Sequence, residues 1–169
     1  TRPTLLVNEA IARNNIRKMA QKARNTGVEF RPHMKTHQSH VVGTWFKEEG
    51  VDKITVSSVD MAYYFADGGF RDITIAFPYN LLEASQIESL ARRVKLNVVI
   101  ESRDSLDHLA SNGKAKINYF IKVDIGTHLT GINPNNPKRI HSITKSKNPN
   151  PQLVGLLAHA GHSYTNLDK

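Results

Sequence analysis

The chain has 169 residues, 39% of them hydrophobic, and a formal net charge of +8, which suits one core and is short for two ordinary domains. It has no cysteine, which excludes disulfides and cysteine-based zinc sites within this sequence. Lysines and arginines are spread from Arg2 to Lys169 without a long run or interleaved aromatic residues, so an anionic small molecule explains the charge better than nucleic acid does. No apolar run has the length of a membrane span, and the N-terminus lacks the order of a signal peptide, so a cytoplasmic setting without a membrane partner is expected. Because the chain starts at Thr1 and not at Met, residues before it are expected too.

Thr4 to Val7 is a short apolar run, and Asn8 is a good cap for a helix whose apolar residues Ile11, Ile16 and Met19 fall on one face. Gly27 ends that helix. Val28 to Pro32 reads as a first strand, and Val41 to Glu49 as a helix stopped by Gly50. Ile54 to Val56 is a second strand, followed by a helix over Met61 to Ala66 that Gly68 and Gly69 close. Ile73 to Phe77 is a third strand, and a helix with Leu82, Ile87, Leu90 and Ala91 follows. Leu96 to Ile100, Ile117 to Val123 and Leu153 to Leu157 complete six strands. Between them lie a helix at Leu106 to Ala110 and one opened by Asn133 to Asn136 and running through Ile140 and Ile143.

Strands alternating with helices argue for a parallel α/β sheet, and both an open doubly wound sheet and a TIM barrel fit that rhythm. No Gly-x-Gly-x-x-Gly follows the first strand, which weakens the dinucleotide-binding version of the open sheet. A complete barrel takes about 250 residues. Six units would therefore leave two beyond this chain, with unpaired strand edges near Val28 and Leu153.

Three stretches carry chemistry. In Arg31-Pro32-His33-Met34-Lys35-Thr36-His37, proline favours extended backbone before it, and Lys35 falls where a strand gives way to a loop. Desolvation beside Arg31, His33 and His37 would ease loss of its proton, and a neutral amine attacks aldehydes. Lys122-Val123-Asp124-Ile125-Gly126-Thr127-His128-Leu129-Thr130-Gly131 is a second strand end, with glycines that permit tight turning. In Ala158-His159-Ala160-Gly161-His162-Ser163-Tyr164, small residues surround His159. His159 and His162 could suggest metal ligands, but on a strand that spacing sends side chains to opposite faces, so no metal site is expected in this chain.

The lysine segment resembles the Schiff-base segment of the D-threonine aldolase and D-serine dehydratase family, relatives of the alanine racemase N-terminal domain. The other two stretches resemble family segments in the same order. The resemblance spans the whole chain, read as a single domain over residues 1–169, and implies a TIM-barrel-like fold cut short after about six units. It implies that Lys35 holds pyridoxal 5'-phosphate, that His159 lies against the pyridine ring and that Tyr164 reaches its polar side. The middle segment departs from the pattern, because Leu129 stands where the family has an arginine that reaches the phenolic oxygen or the substrate carboxylate. A leucine supplies neither charge nor hydrogen bond.

The activity so implied is that of a pyridoxal-phosphate lyase on D-hydroxy amino acids, acting as a homodimer when complete. A divalent metal site and a C-terminal β-domain would lie outside this chain. An amino-acid racemase, needing a second proton carrier, is the alternative within the fold, and the loss of the arginine motivates a non-enzymatic cofactor-binding protein.

Overall fold

The computed structural model describes residues 6–164. Among the described residues there are six helices and five strands, alternating from α2 onward: α1 (Glu9–Thr26), α2 (His40–Glu48), β1 (Lys53–Val56), α3 (Val59–Asp67), β2 (Asp72–Pro78), α4 (Ala84–Ala91), β3 (Lys95–Ile100), α5 (Arg103–Asn112), β4 (Ile117–Val123), α6 (Pro137–Ser142) and β5 (Gln152–Ala158). Short 3-10 turns lie at Met34–Thr36, Leu81–Glu83 and Gly161–Tyr164.

The helix starts follow from short polar side chains. Asn8, Ser39, Ser58, Ser102 and Asn136 each accept a backbone N–H from the first turn of α1, α2, α3, α5 and α6, occupying donors that have no partner within the helix. At the other end of α1, Gly27 takes the left-handed conformation (φ +68°) and its N–H returns to the last carbonyls. Of the apolar run Thr4 to Val7, the first two residues lie outside the described residues, and Leu6 and Val7 are exposed.

All neighbouring strands are parallel, and they follow one another in the order β1-β2-β3-β4-β5. A doubly wound sheet reverses its strand order at a switch point. This one never does, and sequential parallel winding is what a barrel requires. The fold is α/β and TIM-barrel-like.

Side chains alternate across each strand. Ile54, Ile73, Ile75, Leu96, Val98, Ile117, Tyr119 and Ile121 belong to the buried core together with Phe65, Leu90 and Leu106 from the helices. The opposite face carries a row of polar residues: Asn97 donates to Asp72, Thr74 and the Ile73 carbonyl, and accepts from Asn118. Lys122 shares the strand face of Asn118.

The expected first strand is not a strand. Of Val28 to Pro32, the Pro32 carbonyl accepts Thr55 N–H at 2.9 Å, and the next residue, His33, makes one isolated parallel bridge to Thr55. Proline has no N–H to continue a ladder. The segment still lies beside β1, so five strands and one bridge stand where six strands are expected. The last helix begins at Pro137, with Asn136 as its cap, so Asn133 to Asn136 is a turn that leads into it. Among the described residues no helix is long and apolar enough to cross a membrane.

Candidate functional site

The C-terminal ends of parallel strands open on one side of the sheet, and there the chain encloses a cavity of about 570 Å³. All three stretches singled out in the sequence reach it, through Lys35, through Lys122 and Leu129, and through His159 and Tyr164. Thr55, Ser57, Ala76 and Ala158 line it with small side chains. The volume falls in the range of roughly 300 to 1,000 Å³ typical of small-molecule sites.

Lys35 sits in the 3-10 turn Met34–Thr36, anchored by Met34, which is fully buried. Lys35 itself is exposed, so the desolvation expected from its neighbours in sequence is not what surrounds it. Those neighbours have separate tasks. Arg31 is ion-paired with Asp72 at 2.8 Å and donates to the Ile54 and Asp72 carbonyls. His33 Nδ1 accepts the Lys35 N–H at 3.3 Å. Burial, with the positive charge of Lys35 and the nearby His159, pushes the His33 imidazole down to about 4, so it is neutral at physiological pH. His37 turns away from the cavity, stacks on Phe46 and meets the edge of Phe65, while its Nδ1 accepts Ser39 N–H. It supports the α2–α3 packing and does not add polarity beside Lys35.

At the end of β4 the chain turns back on itself. Asp124 accepts the N–H groups of Gly126 and His128 and pairs with the His128 ring at 2.8 Å, which holds its carboxyl down to about 2. Ile132 returns its N–H to the Lys122 carbonyl. Leu129 remains largely exposed on the cavity wall, an apolar side chain among polar ones. Lys122 is only 7% exposed, and burial pushes its ammonium below the usual lysine value.

After β5, His159 and Tyr164 approach edge to face, with ring centroids 5.8 Å apart. A Cβ on Gly161 would meet Thr127 Cγ2 at 2.8 Å and His159 Nε2 at 3.4 Å, so the glycine lets this turn close on the β4 loop without displacing the Thr127 side chain. His162 lies in the 3-10 turn, not on the strand, which replaces the alternation argument made from sequence. Among the described residues no group of three or more His, Cys, Asp or Glu side chains is placed to hold a metal.

The family model for the alanine racemase N-terminal domain matches residues 7–169. The chain belongs to this family. It is 30% identical to a D-serine dehydratase of Dictyostelium discoideum over 96% of this chain and 45% of that protein. Among solved structures, a D-threonine aldolase from Filomicrobium marinum superposes with a TM-score of 0.83 at 20% identity, over 92% of this chain and 43% of that one. A variant of D-threo-3-hydroxyaspartate dehydratase in a metal-free form superposes with a TM-score of 0.84 at 27% identity, over 98% and 45%. The chain thus spans less than half the length of these relatives.

Within the family fold, two lining residues named from the sequence, Lys122 and Arg31, carry no site role of their own there. Lys122 is polar in a run of apolar residues, and its alternation with Asn118 along β4 is the signal that places it on the inner face. Arg31 carries no such signal, because its partner Asp72 is forty-one residues away.

Proposed function

We propose that this chain is one cofactor-binding barrel unit of a pyridoxal-phosphate lyase acting on D-hydroxy amino acids, by Cα–Cβ cleavage or loss of a β-hydroxyl. The observation that carries the reading is the convergence of the free Lys35 amine, His159 and small side chains on one cavity at the strand ends. These residues fit the cofactor. An amine is what its aldehyde needs, and Ser57, Ala76 and Ala158 leave room for a flat ring.

When bound, the cofactor supplies an electron sink that makes carbanion character at Cα tolerable. Lys35 would hold the cofactor by condensing with its aldehyde with loss of water, and, once the substrate amine displaces it, would be the group placed to move the Cα proton. Its ammonium makes no hydrogen bond or ion pair among the described residues, so nothing has to be broken first. His33, neutral and with Nδ1 occupied by the backbone, fixes the turn without adding a second cation beside the amine. His159 and Tyr164, which line the cavity and meet edge to face, would hold the ring and its polar side.

The whole protein on this reading is a cytoplasmic homodimer with a small D-amino acid substrate, and a divalent metal is held by residues outside this chain. Adding pyridoxal phosphate to the complete natural protein should produce an absorbance band at roughly 410 to 430 nm that Lys35→Ala lacks. No band ends the reading. A band with no turnover of D-serine, D-threonine or D-3-hydroxyaspartate leaves a cofactor-binding protein, and formation of the mirror-image amino acid identifies a racemase.

A further inference from the structure

Lys122 is a largely buried lysine whose ammonium has no partner among the described residues. Its side chain is 7% exposed and lines the same cavity as Lys35, yet among the described residues its ammonium makes no hydrogen bond or ion pair. Glu101 and Asp124 favour its charge only through space. Asp124 spends its oxygens on Gly126 and His128. Partial desolvation disfavours this ammonium, and an anion arriving in the cavity it lines offsets that cost.

The stem of the side chain is fixed. Gly131 packs on it so closely that a Cβ there would meet Lys122 Cγ at 3.0 Å, and the Ile132 N–H holds the Lys122 carbonyl at 2.9 Å. Of the basic and facing groups beside it, Arg31 is committed to Asp72, His33 is neutral, Lys35 serves the aldehyde on the reading above, and Leu129 is apolar.

We propose that Lys122 is the carboxylate-binding residue of this site, its ammonium donating to the α-carboxylate of the amino-acid substrate in place of the cation that Leu129 does not supply. This deepens the proposed function and rests on it for the identity of the substrate. The cation in the cavity stands independently of the cofactor.

The probe is D-lactate, which carries the carboxylate but no amine, titrated calorimetrically into the complete natural protein with and without pyridoxal phosphate. Methyl D-lactate, in which the charge is absent, is the control. Lys122→Met keeps the stem and removes the charge, and should weaken D-lactate about tenfold or more, the loss of one charge-assisted hydrogen bond. It should leave methyl lactate binding and the band of the Lys35 adduct unchanged. Lys122→Arg should retain D-lactate affinity within about threefold, and Leu129→Arg placed on Lys122→Met should recover it. Unchanged D-lactate affinity in Lys122→Met, equal losses for acid and ester, or no binding of D-lactate to the wild type would each overturn the proposal. A wild type that binds D-lactate through Lys122 but gives no absorbance band would overturn the lyase reading and leave the carboxylate site standing.

Discussion

His33 Nδ1 accepts the backbone N–H of Lys35 at 3.3 Å, so the side chain that closes the extended segment also caps the turn that presents the amine. The same imidazole is partly buried and sits near two other cationic or titratable groups, Lys35 and His159. Protonating it would put a charge beside Lys35 and remove the acceptor for the turn.

That coupling gives stability a pH dependence. Folded His33 has a value near 4, against 6.5 for the free side chain. Between those values the unfolded chain takes up a proton that the folded chain refuses, so stability falls as pH drops from 6.5 towards 4 and has no slope from this group above 6.5. The share of His33 is at most about 3 kcal/mol, at 1.36 kcal/mol per unit. His37, also pushed down by burial, contributes with the same sign. Urea midpoints measured from pH 7 to 4.5 should show the fall, with a shallower slope in His33→Asn. Equal slopes in the two proteins would remove His33 from the account.

Lys35→Ala should fold as well as the parent. The side chain is exposed and unpartnered among the described residues, so the change in unfolding free energy is expected within about 0.5 kcal/mol. Thermal and urea unfolding monitored by circular dichroism would check this. A loss of 2 kcal/mol or so would mean that Lys35 holds the fold together and is not reserved for chemistry.

Two glycines of the β4 loop separate steric from conformational cost. Gly126 and Gly131 have nearly the same positive φ, +114° and +116°, so alanine is strained at both. At Gly126 a Cβ meets nothing within 4 Å, whereas at Gly131 it meets Asp124 N at 2.7 Å and Val123 C at 2.9 Å. Backbone atoms cannot step aside as a side chain can. Gly131→Ala should therefore be less stable than Gly126→Ala by about 1 kcal/mol or more, measured by equilibrium denaturation, and equal values would contradict the packing.

The inner face of the sheet is held by a polar row centred on Asn97, which is 3% exposed and bonded to Asp72, Thr74, Asn118 and the Ile73 carbonyl. Asn97→Ala leaves the Asn118 amide without that acceptor and should cost about 1 to 3 kcal/mol. Asn97→Ala combined with Asn118→Ala should lose less than the two single changes added, because the second removes a group the first has already orphaned. Additive losses would show that the two amides act separately.

What the sequence determined by itself was local. Asn8 and Gly27 bracket α1 because a capping side chain and a left-handed glycine act within a few residues of where they stand. Five of the six expected strands and the approach of the Lys35, Lys122 and His159 segments to one side also follow from short-range pattern, since every parallel strand ends on the same side of its sheet. Only the tertiary structure decided which way individual groups face. Val28 to Pro32 forms one bridge because a ladder needs a partner's donors and acceptors as well as extended backbone. His37 packs on Phe46 and Phe65 while His33 stays at the cavity, although both flank Lys35 in sequence. Lys35 is exposed and Lys122 buried, the reverse of what a reactive lysine's neighbours suggest, because burial is a property of everything packed around a residue and not of the residues beside it in the chain.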